Sequence, residues 1–492
     1  MSILQSPVVR LGSGTVRGRR LDGHLSFRGI PYAAPPVGDL RWRPPAPVEP
    51  WAGVRDALEP GNPAPQLAQS FGEVTSLDED CLTLDVTAPD APGEGRPVLI
   101  WLHGGGGTNG SAAVYGARRL AVTGDLVVVA PNFRLGIMSC FGYPGLADGG
   151  TFGIQDQQAV LRWVRREIAH FGGDPDNVTL MGESYGALQI AAHLAAPGSA
   201  GLFRHAILQS AFSVLGTTPA HTFIPGLPEL PPRWAAENEL EAIGVAVAAE
   251  RGWVTGDGDP LAQLRQVPVK DLLEVSGAFI RPAFGGAVLP ESPADALPAG
   301  RFHQVPLMLG TTLDEARFFV GLFADLVGNP VTADSYPRLL AEAFGDAADE
   351  VAARYPLEDY GTPSFAWARI STDRAWARPA WELGQALAAH TGTWFYEFAD
   401  EDAPPLFPGF PSGAQHSSAL VYQFDFEGGP ELPAPQRELA DRMTRYWAAF
   451  AANGDPGWSS VDSGYVRSLT PKGVSGTDYV SGHHLDFWAG KP

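Results

Sequence analysis

Ser184 is the only serine of the chain in a Gly-x-Ser-x-Gly frame, within Val178-Thr-Leu-Met-Gly-Glu-Ser-Tyr-Gly186. An apolar, β-type run enters the frame, and the helix-compatible stretch Ala187-Leu-Gln-Ile-Ala-Ala-His-Leu194 leaves it. Such a strand–turn–helix holds a hydroxyl exposed at the top of a sheet, where a neighbouring base turns it into a nucleophile. With 58 glycines in 492 residues the pentapeptide alone carries little weight, and a motif needs context. The context is upstream: the apolar run 98–102 leads straight into His103-Gly-Gly-Gly-Gly107. Acyl transfer through serine develops an oxyanion that needs preorganised N–H donors about 3 Å away, and successive glycines turn amides inward with no side chain in the way. A phosphate cradle, the other use of such a loop, needs Gly-Lys-Ser/Thr, and Thr108-Asn109-Gly110 contains no lysine.

Serine chemistry on this frame takes its partners in the chain order serine, acid, histidine. That order sets aside His24, His103, His170, His193, His205, His221 and His303. His390 precedes a strand and so falls on the wrong edge of the sheet, while His483 and His484 belong to the terminal tail. His416, in the loop Gly413-Ala-Gln-His-Ser-Ser418 after a strand at 394–398, is the candidate base. An ordinary imidazole there gives activity rising through an apparent pKa of roughly 6 to 7. The acid must leave a strand ending on the same edge; Asp314 and Glu315, after Val305-Pro-Leu-Met-Leu-Gly310, both qualify. Spacing does not choose between adjacent carboxylates.

These residues require an α/β scaffold. Short apolar runs at 98–102, 126–130, 178–181, 206–209, 307–309 and 394–398 read as strands buried on both faces. They alternate with helical patterns, the mark of a mostly parallel central sheet flanked by helices. Leu161, Val164, Ile168 and Phe171 share one helical face, as do Leu439, Met443, Trp447 and Phe450, with Gly172-Gly173 and Asn453-Gly454 as stops. The block 219–304 is rich in Ala, Leu, Glu and Pro, with a helical pattern and no evident strand. It reads as a helical cap insertion over the carboxyl edge of the sheet, where pockets of such folds lie. No Ser/Gly-rich linker divides the chain, so 1–492 is expected to form a single catalytic domain.

Composition narrows the rest. A formal charge of −21 disfavours nucleic acid as a partner, because phosphate binding needs Lys and Arg. Cys81 and Cys140 are the only cysteines, too few for a disulfide framework, and no cluster has metal-ligand spacing, so no metal or cofactor is expected. The first ten residues lack a basic start followed by an apolar core, and no apolar run reaches membrane-spanning length. The expectation is a cytoplasmic protein with no membrane partner; oligomeric state stays open.

Taken in order, several blocks resemble the type-B carboxylesterase family of cholinesterases, mammalian carboxylesterases and bacterial para-nitrobenzyl esterases. They are Phe27-Arg-Gly-Ile-Pro-Tyr-Ala-Ala-Pro-Pro-Val-Gly38, Glu79-Asp-Cys-Leu-Thr-Leu84, Asn132-Phe-Arg-Leu-Gly136, Phe171-Gly-Gly-Asp-Pro-Asp-Asn-Val-Thr179, Gly201-Leu-Phe-Arg-His-Ala-Ile-Leu-Gln-Ser210 and the tail His483-His-Leu-Asp-Phe-Trp488. The resemblance implies an α/β-hydrolase fold and hydrolysis of small to medium, uncharged carboxylic esters through an acyl-enzyme. It implies Glu315 as the acid, Gly105, Gly106 and Tyr185 as oxyanion donors, and Glu183 and Ser210 as supports of the triad. Four departures stand out. Tyr185 replaces a usual Ala and is expected to narrow the pocket, whereas Gly107 replaces Phe or Ala and is expected to widen it. Ala419 replaces a carboxylate, which should loosen His416. Ala64 sits where secreted relatives place the partner of Cys81, so that loop is unstapled. The competing expectations are a catalytically silent binding protein, since some relatives keep the fold without the triad, and a peptidase, prompted by Gly-Glu-Ser-Tyr. The intact set Ser184, Glu315 and His416 argues against the first, and nothing else in the chain supports the second.

Overall fold

The computed structural model describes residues 6–68, 74–218, 220–221, 225, 229–407, 409–411 and 413–491. The first five residues of the stretch read for a leader, and Pro219 at the start of the expected insertion, lie outside the described residues.

The chain builds an 11-stranded sheet. In chain order its strands are β1 (Arg19–Leu21), β2 (His24–Pro31), β3 (Thr83–Pro89), β4 (Arg96–Leu102), β5 (Val127–Pro131), β6 (Gly173–Glu183), β7 (His205–Gln209), β8 (Leu307–Thr312), β9 (Thr393–Phe398), β10 (Val466–Thr470) and β11 (Gly473–Thr477). In space they run β11-β10-β9-β8-β7-β6-β4-β5-β3-β2-β1. From β10 across to β5 every neighbouring pair is parallel, and the outer strands pair antiparallel. All six expected strands are present; five are longer by one or more residues, and the run 126–130 is shifted by one to 127–131.

Alternation along the strands sorts two cores. Val98, Ile100 and Leu102 of β4 pack with Leu161 and Val164 of helix α1 (Phe152–Glu167) and Ile190 and Leu194 of helix α2 (Tyr185–Ala195). Leu99 and Trp101 point the other way, onto Leu439, Met443, Trp447 and Phe450 of the long helix Ala434–Asn453. Period-2 side chains on a strand buried under helices on both faces must behave so. Both expected helix stops hold: Gly172 and Gly454 close their helices in the left-handed region, at φ 83° and 74°.

Two features depart from the sequence reading. The described part of the block 219–304 contains helix α3 (Glu237–Glu250) and shorter helices, but also a two-stranded parallel ribbon in which Ala235 and Ala236 pair with Ala283 and Phe284. Residues so short and Ala-rich carry no strand signal; tertiary contact makes them strands. A second helical layer, between β8 and β9, includes α4 (Pro363–Thr372), a π-helical turn at Asp373–Ala377 and α5 (Arg378–Ala388). The long helix Ala434–Asn453 is hereafter α6.

Candidate active site

Ser184 stands between β6 and α2 with φ 55° and ψ −118°, a backbone state that costs about 1–3 kcal/mol and persists only where its surroundings enforce it. They do so here. The Ser184 N–H donates to Gln209 O at 2.9 Å, locking the turn to β7. A Cβ on Gly186 would come 1.9 Å from Leu102 O, so only glycine lets α2 press against the end of β4. The turn lifts the side chain to the carboxyl edge of the sheet, and Ser184 is half-buried there.

His416 is carried by the loop after β9, and that loop is laced to the one carrying the acid. Asp314 N–H donates to Ala414 O at 2.9 Å and His416 N–H to Glu315 O at 3.3 Å, a bridge joining Asp314 and Gln415 in parallel. The two carboxylates left open by spacing part company. Glu315 is fully buried, with Oε2 2.6 Å from His416 Nδ1 and Oε1 accepting from Thr312 N–H at 2.9 Å. Asp314 instead pairs with Arg317 at 3.1 Å.

The other ring nitrogen of His416 does not hydrogen-bond Ser184 among the described residues; Nε2 stands 3.2 Å from Glu183 Oε1, which also accepts from Ser417 Oγ at 2.7 Å. Burial opposes a charged imidazole here, but Glu183 and Glu315 outweigh it and raise the His416 pKa above 6.5. Burial likewise raises Glu183. The ordinary imidazole titration expected from sequence is therefore shifted upward. Catalytic hydrogen bonds that are long without substrate commonly tighten when it binds.

Gly105 and Gly106 are exposed, with φ 104° and 63°. Together with Tyr185 at the start of α2, they present N–H groups that have no hydrogen-bond partner among the described residues. Gly105 O in turn accepts from Thr108 and Asn109 N–H, and Gln66 clamps Gly110 through both its amide atoms. Tyr185 and Gly107 correct the expectation of opposed effects on the pocket. A Cβ on Gly107 would come 2.6 Å from the Tyr185 ring; the ring fills the space that the missing side chain leaves, and Tyr185 is only 7% exposed. The two departures compensate in one packed contact.

Ser210, also at positive φ (51°), ties its N–H to Gly310 O at 2.7 Å, and among the described residues its hydroxyl makes no hydrogen bond to the triad. Support comes from residues the sequence does not single out. Gln209 and Gln423 exchange amide hydrogen bonds at 2.8 and 3.0 Å, and Trp447 Nε1–H donates to Gln423 Oε1. This clamp joins β7, α6 and the segment after His416. Arg369 donates to Leu313 O and Thr372 Oγ1 accepts from Ala316 N–H, gripping the acid loop on both sides of Glu315. Phe318, Phe319 and Trp376 pack on the His416 ring with centroids 5.7, 5.2 and 4.7 Å away. Phe318 and Phe319 are legible in retrospect, lying one helical turn beyond Glu315; the π-helical turn that aims Trp376 is not.

A mostly parallel sheet in this strand order, with a strained serine at a strand-to-helix turn and a buried Glu–His pair on later loops, defines an α/β-hydrolase. The chain belongs to the carboxylesterase family, whose model matches residues 5–472, and it is a carboxylic-ester hydrolase. It is 33% identical to para-nitrobenzyl esterase of Bacillus subtilis, over 92% of this chain and 91% of that protein. It is 34% identical to fumonisin B1 esterase of Sphingopyxis macrogoltabida, over 90% and 81%. A solved thermophilic para-nitrobenzyl esterase superposes with TM-score 0.78 at 28% identity, covering 98% of this chain and 99% of that one.

Proposed function

We propose that Ser184, His416 and Glu315 carry the hydrolysis as a triad, that Gly105, Gly106 and Tyr185 supply the oxyanion donors, and that Glu183 and Ser210 support them. The observation that carries this reading is the 2.6 Å contact between Glu315 Oε2 and His416 Nδ1, on loops tied to each other and facing the elbow. A buried carboxylate at Nδ1 fixes the tautomer and stabilises the imidazolium. Nε2 of His416 takes the Ser184 proton as Oγ attacks the ester carbonyl, and the three N–H groups receive the oxyanion. The alcohol leaves with that proton, and a water activated by the same nitrogen releases the acid. We further propose that residues 1–492 act as one catalytic domain with 219–304 as its cap, and that the protein works in the cytoplasm, a reading supported by two buried, unpaired thiols, Cys81 and Cys140. A fluorophosphonate probe followed by peptide mapping tests the nucleophile: label on Ser184 alone, dependent on His416, is the expected result, and label elsewhere contradicts it.

A further inference from the structure

The parallel ribbon in the cap brings together two cations. Ala235 pairs with Ala283 and Ala236 with Phe284, and Arg233 and Arg281 each lie two residues before the first pair, just outside the ribbon. Like charges near each other repel, and this pair is poorly compensated. Arg281 is 8% exposed; its Nη2 donates to Glu239 Oε1 at 2.5 Å, while Nη1 is buried with no hydrogen-bond partner among the described residues. Arg233 donates from Nη2 to Pro231 O, its Nε is buried without a partner, and no carboxylate pairs with it among the described residues. Burial and the neighbouring Arg281 push its pKa down to about 10. Among the described residues, Glu239 is the one carboxylate ion-paired with either guanidinium.

A chain of ring contacts links Arg233 to the base of the active site. The Arg233 guanidinium lies 5.5 Å over the Phe212 ring, Phe212 is 4.5 Å from Trp376, and Trp376 is 4.7 Å from His416. On the other side, burial pushes the Cys140 thiol up to about 11 while the Arg281 charge pulls against it. Cys140 Sγ is 3.8 Å from the OH of Tyr185, the residue that follows Ser184 in the chain. Arg281 Nη1 and Arg233 Nε are buried without acceptors among the described residues, which is costly unless something completes their hydrogen bonds, and a carboxylate matches the guanidinium fork.

We propose that Arg233 and Arg281 form a specificity site for esters that carry a free carboxylate, in place of the uncharged esters expected from sequence. The proposal rests on the serine-esterase reading, and its test separates the two. The mono-para-nitrophenyl ester of glutaric acid is compared with para-nitrophenyl pentanoate, placing the charge on the acyl side. On the alcohol side 4-acetoxybenzoate is compared with 4-acetoxybenzamide. In at least one pair the charged ester is expected to be favoured about tenfold or more in kcat/KM, chiefly through KM. Arg281→Gln and Arg233→Gln should each erase most of that ratio, and the Lys variants should restore part of it. Both esters of a pair are read on the same protein, so a partly unfolded variant still reports the ratio. Glutarate binding to the Ser184→Ala protein, measured by calorimetry, needs no turnover. If glutarate binds and binding is lost with Arg281→Gln, the arginine site stands even where hydrolysis fails. Charged and neutral esters hydrolysed equally by the wild type, or a preference untouched by both Gln variants, would overturn the proposal.

Discussion

The residue that sets the pH behaviour is Glu183. Its carboxylate faces His416 Nε2, the nitrogen that must be free of its proton to accept one from Ser184. Because the His416 pKa is raised, the active, neutral form is depleted as pH falls, and the acid limb of kcat/KM should lie above the ordinary imidazole value. Glu183→Gln removes one of the two anions holding that proton, so the limb should move to lower pH; an unchanged limb in the variant contradicts the coupling. The adjacent acids give a ranking: Glu315→Gln should lower kcat by about 10³–10⁴, whereas Asp314→Asn, which breaks only the pair with Arg317, should leave most of it. The reverse order would reassign the acid. Tyr185→Ala keeps the N–H donor but empties the space over Gly107, and a loss of about 3–5 kcal/mol in denaturant unfolding is expected; Tyr185→Phe should be near neutral. Ser184, His416 and the pair Asp314 and Glu315 can be picked out of the sequence by local spacing and chain order, which leave the choice between the two carboxylates open. The compensation of Tyr185 by Gly107 cannot be, because it joins residues 78 positions apart through a contact only the fold creates.

At the scale of elements, the C-terminal segment latches the layer that grips the acid loop. His483 is buried with Nδ1 2.6 Å from Asp373 Oδ1 and Nε2 2.5 Å from Glu397 Oε1. Asp373 also receives Arg369, the residue that holds Leu313 O, and begins the π-helical turn bearing Trp376. Burial and Arg369 disfavour the charged ring, yet the two carboxylates prevail and the His483 pKa is raised from 6.5. Stabilisation from a raised pKa is complete below the unfolded value and is lost as pH rises through the folded one. His483→Ala should therefore cost about 3–5 kcal/mol in mildly acid solution, and the gap to wild type should shrink in alkaline solution; a pH-independent gap in denaturant titrations contradicts the imidazolium latch. Sequence order dismisses His483 as tail because its partners come from α4's extension and from β9. The six buried parallel strands, by contrast, announce themselves as apolar runs. The outer strands β1 to β3, β10 and β11 are less visible, since residues such as Arg19, Arg20 and Lys472 at that rim are polar.

For the molecule as a whole, the sheet gathers on one edge groups drawn from residues 105 to 416, and the chemistry proposed there uses side chains and amides alone. Treatment with EDTA should accordingly change kcat/KM by less than about twofold, and a chelator-sensitive enzyme would show that a required ion is missing from this account. The central claim is nucleophilic catalysis by Ser184, and its most direct measurement is hydrolysis of para-nitrophenyl acetate and butyrate by wild type and Ser184→Ala proteins of matched fold, checked by circular dichroism. Turnover by the wild type with a loss of about 10³-fold or more in the variant is the predicted result. Comparable turnover by the two proteins would contradict it.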